Sequence, residues 1–313
     1  MHVLLVGNYG VGNLGDEALK HYMLRTFPEV TWTVVSACPG SGEVPRLPGG
    51  IRSLCTTPWW RTIRVYRSVD RVVFGGGTLF TDIESPYACV LWFLHAFLAR
   101  LFGKPVLLAF QGIGPFRTRR GEWLARRTAS AASFLSVRDP RSLAQVASWG
   151  LNSKVVQTFD PIYKEIYSRK SLGTKNLFIL IPRENSGDAF RESAMRQLRS
   201  RKWDGVHILS FAPSSISETT YCRELGLLIP DSVLVPVHSI DTLLSELSGA
   251  AFVLTERFHG AVAALALGLP FAVISRAEGD KLAEMEAIAQ SDGAAALMAS
   301  VLRGEDALRE ALR

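Results

Sequence analysis

The stretch Thr255-Glu256-Arg257-Phe258-His259-Gly260 joins a fixed cation to a side chain that titrates near neutrality. An apolar run over 251–254 precedes it and reads as a buried strand. A second apolar run over 261–267 follows and reads as a helix closed by Gly268. Arg257 and His259 therefore fall between a strand's carboxyl end and a helix's first turn. That edge of an open α/β sheet is where ligands bind, and the N–H groups of a helix start favour an anion. Taken alone, the stretch fits equally well a structural ion pair beside a capping or core histidine.

Other strand ends carry residues of the same kind. A strand over 3–7 leads into Gly10, Gly12 and Gly15, with Asn13, Asp16 and Glu17 beside them. The glycines match the dinucleotide fingerprint G-x-G-x-x-G. The turn starts too late after Gly7, however, and the strand over 31–36 ends without an acid to hold a ribose. Asp16 and Glu17 also put negative charge where a pyrophosphate would sit. The glycines read instead as a flexible loop over a cleft, with Asp16 or Glu17 capping the helix or touching a sugar hydroxyl. A strand over 71–74 ends in Gly75, Gly76 and Gly77, with Asp82 beyond, and one over 105–110 ends in Gln111 and Gly112. Successive glycines cost chain entropy and suit a backbone that must approach a ligand closely. A strand over 133–137 delivers Arg138 and Asp139.

The elements that must position these residues alternate strand and helix twice along the chain. The predicted fold class is α/β, with two Rossmann-like, doubly wound domains facing across a cleft. The first domain is expected over 1–161 and the second over 176–313, with the weakly patterned, polar stretch 162–175 as linker. The chain's 313 residues suffice for two cores, and 48% hydrophobic residues exclude a disordered chain.

The first residues read directly as a strand, without a basic leader, and four scattered cysteines lack C-x-x-C spacing. The expectation is a cytoplasmic protein without a zinc site, disulfide framework or bilayer-spanning segment. The net charge of +6 suits anionic partners, but no nucleic-acid-binding signature accompanies it. From Trp59 to Arg71, Arg61, Arg64 and either Arg67 or Arg71 share one helical face behind two tryptophans. The plain reading is a solvated face. The sharper one is peripheral contact with an anionic membrane surface or a lipid-phosphate acceptor.

Six short motifs occur in a set order: Gly10 to Ala18, Gly75 to Asp82, Gln111 to Pro115, Ser136 to Ser142, Asp160-Pro161, and Arg257 to Gly260. In this order they resemble the polysaccharide pyruvyl transferase family of bacterial cell-wall enzymes. Phe258 stands where that family usually has Leu, Ile162 replaces a small residue, and 275–281 keeps Asp280-Lys281 among unfamiliar neighbours. The resemblance implies a fold like that of GT-B glycosyltransferases. It implies transfer of the enolpyruvyl unit of phosphoenolpyruvate onto two hydroxyls of a glycan sugar, often lipid-linked, with formation of a pyruvate ketal and release of phosphate. Neither cofactor nor metal is expected.

On that reading Arg138, Arg257 and Lys281, with Gly260, bind the donor's carboxylate and phosphate, for which a guanidinium fork is suited. His259 is the general acid, protonating the enol so that its central carbon becomes electrophilic. His238 is its nearest competitor among the histidines. Asn13, Asp16, Glu17, Gly76, Gly77, Asp82, Gln111 and Gly112 fall on the acceptor or cleft side. Two other readings share the fold. A nucleotide-sugar glycosyltransferase would want an acidic ribose clamp, for which Glu256 or Glu278 is available. A non-catalytic glycan- or anion-binding member is suggested by the altered stretch 276–280.

Overall fold

The computed structural model describes residues 1–313 except 49, 50, 84, 170–172, 174, 276–280 and 292, and only the backbone of 51–53 and 281. The chain divides into two compact units. The first is Met1–Val11, Leu19–Pro161 and Ala299–Arg313; the second is Gly12–Ala18 and Ile162–Met298.

The first unit holds β1 (His2–Val6), most of α1 (Leu14–Thr26), β2 (Thr31–Ser36), β3 (Glu43–Pro45), α2 (Ile51–Thr56) and α3 (Trp60–Ser68). It continues with β4 (Arg71–Phe80), α4 (Ala88–Leu101), β5 (Val106–Ile113), α5 (Arg119–Ala131), β6 (Phe134–Val137), α6 (Pro140–Ser148) and β7 (Val155–Gln157). Its strands form one parallel sheet in the order β3-β2-β1-β4-β5-β6-β7. The central strands are apolar without alternation because helices cover both faces of such a sheet. Tyr66, Trp92, Ala96, Ala125 and Ala129 pack from α3, α4 and α5 onto Leu4, Phe74, Val72 and Leu108.

The second unit holds α7 (Ile162–Tyr167), β8 (Leu177–Ile181), α8 (Asp188–Ser200), β9 (Gly205–Ser210), α9 (Ile216–Leu228) and β10 (Val233–Pro236). It continues with α10 (Ile240–Ser248), β11 (Ala250–Thr255), α11 (Phe258–Leu267), β12 (Phe271–Val273), α12 (Lys281–Ser291) and the start of α13 (Ala294–Leu312). The sheet is again parallel, in the order β10-β9-β8-β11-β12. Phe178, Leu180, Ile208 and Leu254 meet Phe190, Ala194 and Tyr221 in its core.

Three expectations need correction. The stretch 162–175 is not simply a linker, because α7 buries Ile162, Tyr163 and Ile166 and packs against α11. The C-terminal residues do not belong with the second unit. Thr158 Oγ1 donates to the Ser300 carbonyl, the Tyr22 hydroxyl donates to Glu305, and Arg309 reaches Glu29 and the Phe27 ring. Gly304 has no Cβ because one would meet Thr158 Oγ1 at 2.5 Å. Finally, the triple glycine is not a loop. β4 runs through it to Phe80, with Gly76 and Gly77 at φ +92 and +88 and a register slip between Gly77 and Phe80. Such φ values suit glycine and strain other residues. Gln111 and Gly112 likewise lie inside β5.

Candidate functional site

In each sheet the strand order reverses beside the first strand of the unit, between β1 and β4 in one and β8 and β11 in the other. Such reversals open a crevice at the carboxyl ends of the strands. The motifs after β1, in β4 and after β11 fall at these reversals, whereas those at the ends of β5, β6 and β7 lie further along the first sheet.

In the second unit, Thr255 ends β11 fully buried and its Oγ1 accepts from the Arg257 amide at 2.9 Å. That bond turns the chain into α11, whose N-terminal flank is Arg257 in extended conformation. Gly260 lets the first turn of α11 sit against the sheet, since a Cβ there would meet Thr255 Oγ1 at 2.5 Å and Ile181 Cδ1 at 3.0 Å. Its visible role is packing. The Arg257 guanidinium pairs with Glu218, which is wholly buried at the start of α9. Glu218 also accepts from Ser210 Oγ at 3.0 Å and from the Ala212 amide at 2.7 Å. The pair thus ties the β11–α11 turn to the β9–α9 turn across β8.

Two further carboxylates border this place. Glu184 accepts from Ser217 Oγ at 2.6 Å and Ser215 Oγ at 3.3 Å. The Ser217 hydrogen bond, chiefly, with help from Ser215 and the charges of Arg257 and Arg183, holds its carboxyl below the usual range against the opposing effect of burial. Glu256 is buried and accepts from Ser186 Oγ.

His259 lies in the first turn of α11, half-buried, its ring edge-on to Phe258 with centroids 5.6 Å apart. Gly15 lies directly against it: a Cβ on Gly15 would overlap the imidazole at Nδ1. The glycine segment is held there by the Leu14 amide, which donates to the Phe211 carbonyl at 2.8 Å, and by Asn13 Oδ1, which accepts from the Gly15 amide at 3.1 Å. Asp16 and Glu17 follow in the first turn of α1. The structure therefore brings together two motifs that the sequence separates widely, Gly12–Ala18 and Arg257 to Gly260.

The first unit uses its candidates differently. Arg138 is 1% exposed; one nitrogen pairs with Asp160, which is 0% exposed, and another donates to Thr78 Oγ1 at 3.1 Å. This counts against the expectation of a donor-binding arginine, because the side chain is sealed from solvent as well as paired, and a ligand's anion has no open face of it to reach. Asp82 is also committed. Its oxygens accept from the amides of Arg117 and Thr118 at 2.6 and 2.9 Å and from the Thr118 hydroxyl at about the same spot, where α5 begins. Burial alone would raise its pKa, but these hydrogen bonds outweigh burial and lower it. Asp82 is thus a clasp for the α5 entry and not a base facing a sugar. Gln111 is fully buried, its amide donating to the carbonyls of Phe74 and Ala109 at 3.0 and 2.9 Å. Gly112 accommodates Thr78, whose Oγ1 would lie 2.5 Å from a Cβ, and Gly76 accommodates Leu19 at 3.2 Å.

Sequence reading missed Glu218, Glu184 and Arg46. The signal for Glu218 was a capping box, Ser215-x-x-Glu218. Arg46 donates to Asn8 Oδ1 and the Tyr9 carbonyl at 3.0 and 2.9 Å, fixing the turn after β1. Among the other histidines, His95 is buried between the Leu47 amide at 3.3 Å and the Tyr66 hydroxyl at 2.7 Å. The Leu47 N–H can only donate, so Nε2 is the acceptor and the proton sits on Nδ1. Burial, aided by the charge of Arg46, pushes the His95 pKa down to about 3. His238 is exposed. The Lys281 side chain and 276–280, Glu278 included, lie outside the described residues. Among the described residues, no group of three or more His, Cys, Asp or Glu could hold a metal ion, and no helix is long and apolar enough to cross a membrane.

Two parallel sheets with alternating helices define an α/β, Rossmann-like fold of the GT-B type. Solved structures share it at low identity. UDP-GlcNAc 2-epimerase from Methanocaldococcus jannaschii superposes with TM-score 0.64 at 12% identity, over 100% of this chain and 99% of that one. HepE from Anabaena, in complex with UDP and glucose, gives 0.60 at 12% over 100% and 99%. MurG from Acinetobacter baumannii gives 0.51 at 12% over 99% and 92%. No curated protein matches the chain significantly. The polysaccharide pyruvyl transferase family model matches residues 13–278, and the chain belongs to that family.

Proposed function

We propose that the protein transfers the enolpyruvyl unit of phosphoenolpyruvate onto two hydroxyls of one glycan sugar, giving a cyclic pyruvate ketal and inorganic phosphate. The observation that carries this reading is the seating of Gly15 against His259, beside Arg257, within a chain of this family. His259 donates a proton to the terminal enol carbon, which becomes a methyl group. The central carbon then accepts one sugar oxygen, and phosphate leaves as the second oxygen bonds; each hydroxyl gives up its proton. Arg257, held in place by Glu218 and 13% exposed, offers its fork to the donor's carboxylate or phosphate. Asp16 and Glu17, which follow the imidazole's neighbour Gly15 directly in the first turn of α1, are the carboxylates we assign to orienting a hydroxyl. The acceptor is a sugar of a cell-wall or capsular glycan, free or on a lipid.

A nucleotide-sugar substrate is the second reading, suggested by the UDP in the HepE complex. The buried Glu256, tied to Ser186, is a poor ribose clamp. The test is phosphate release from phosphoenolpyruvate that depends on added glycan. Wild type is expected to show it, and His259→Ala to lose it by about a thousandfold. Near wild-type turnover in that variant overturns the role of His259. Thermal stabilisation by a nucleotide sugar and none by phosphoenolpyruvate overturns the donor.

A further inference from the structure

One face of the first unit is built against the ordinary pattern of a surface. A helix lying on a sheet normally shows water a polar side. α4 does not: Tyr87 just before it, then Leu94, Phe97 and Leu101, occupy one exposed stripe, with Tyr87 67%, Phe97 50% and Leu101 65% exposed. Arg100 is the one charged residue within the helix. The apolar surface continues onto the neighbouring helix. Phe93 stacks on Phe97 at 6.2 Å and reaches the Trp123 ring of α5 at 6.3 Å; Trp123 is 54% exposed. On the opposite side of α4, the face carries Trp60 of α3, half exposed.

Among the described residues of α3, α4 and α5, the exposed charges are all positive. α3 contributes Arg61, Arg64 and Arg67, all exposed; α5 contributes Arg119, Arg120, Arg126 and Arg127, all exposed. Several lie over aromatic rings, Arg64 on Trp60 at 4.5 Å, Arg67 on Phe102 at 5.6 Å and Arg127 on Trp123 at 5.7 Å. The one carboxylate in these helices, Glu122, is half-buried and accepts from Gln145 and from the Trp149 indole at 3.0 and 3.1 Å. Cations over exposed rings beside an aliphatic stripe are the make-up of a surface that sits at a lipid interface, rings among the acyl chains and guanidinium groups at the phosphates.

We infer that the outer face of α3, α4 and α5 docks on an anionic lipid bilayer. It extends well beyond the tryptophan–arginine segment visible in the sequence, and α4 is its centre. Single-sign charge favours lipid over a second copy of this chain, since a two-fold interface through α4 would set one arginine rim against another. Docking here would hold the enzyme at the surface where a lipid-carried glycan is found, but the inference rests on this face alone.

The test is flotation of the full chain with vesicles rich in phosphatidylglycerol, against vesicles of phosphatidylcholine alone, at low and high salt. Wild type is expected to float with the anionic vesicles, to stay behind with the zwitterionic ones, and to release as salt rises. Phe97→Ser with Leu101→Ser, and separately Arg126→Glu with Arg127→Glu, are each expected to weaken binding by about tenfold or more. Both pairs are exposed, so unchanged thermal melting accompanies each. Absence of wild-type binding to anionic vesicles overturns the inference, as does binding that neither variant weakens. A wild-type dimer in light scattering that Phe97→Ser with Leu101→Ser dissociates overturns it in favour of a second copy. The assay reads no turnover, so it fails or succeeds apart from the transfer reaction.

Discussion

Arg138 and Arg257 look alike in the sequence, each following an apolar strand, yet the two units treat them differently. Arg138 is sealed at 1% exposure against Asp160, while Arg257 keeps 13% of its side chain open beside Glu218. A sealed pair holds strand ends together, because separating it would strand a charge in the interior. A pair that still touches water can trade part of its contact for a ligand's anion. Exposure, more than charge or position along a strand, separates the structural arginine from the candidate ligand-binding one.

The comparison can be broken by substitution. Arg138→Met is expected to have the largest effect, lowering stability by about 3–5 kcal/mol in chemical denaturation, with Asp160→Leu in the same chain restoring most of it. Full stability with lost turnover would return Arg138 to the site. Gly15→Ala is next. The added methyl must displace the imidazole, and turnover should fall about a hundredfold, near 2.7 kcal/mol, with donor KM little changed. Acid separates the units in another way. Folded His95 has its pKa depressed to about 3 from 6.5, so between those values the unfolded chain holds the extra proton. Stability therefore rises with pH across that window and is lost as pH falls below 6.5; at pH about 5 the loss is about 2 kcal/mol. His95→Asn should flatten the slope of unfolding free energy against pH. The smallest effect is Arg257→Lys, which keeps the charge but loses the fork. It should raise donor KM by about tenfold with nearly unchanged Tm.

The parallel sheets were legible because strands covered on both faces are apolar throughout, as in Leu177–Ile181 and Ala250–Thr255. Gly75 to Gly77 read as a loop because the same glycines serve a turn or a strand that takes positive φ, and sequence alone does not separate the two. The His259 site was half legible. Its motif stood out, but Glu218 lies 39 positions from Arg257, and their pairing follows from β9 and β11 flanking β8. Nothing local in Arg138 distinguishes it from Arg257, since Asp160 belongs to a different strand end. The destination of 299–313 was hidden for a similar reason: an amphipathic helix shows that it needs a sheet and not which one.

That last helix limits how the molecule can be taken apart. A gene fragment ending near residue 161 omits Ser300, Glu305 and Arg309, the partners of Thr158, Tyr22 and Glu29. The buried Tyr22 hydroxyl would lose its acceptor, and the groove over Phe110 that Gly304 fits so closely would face water. Chimaeras between relatives must therefore exchange the amino-terminal half together with the last turns of the carboxyl terminus, and an affinity tag fused behind Arg313 is attached to the unit that begins at Met1.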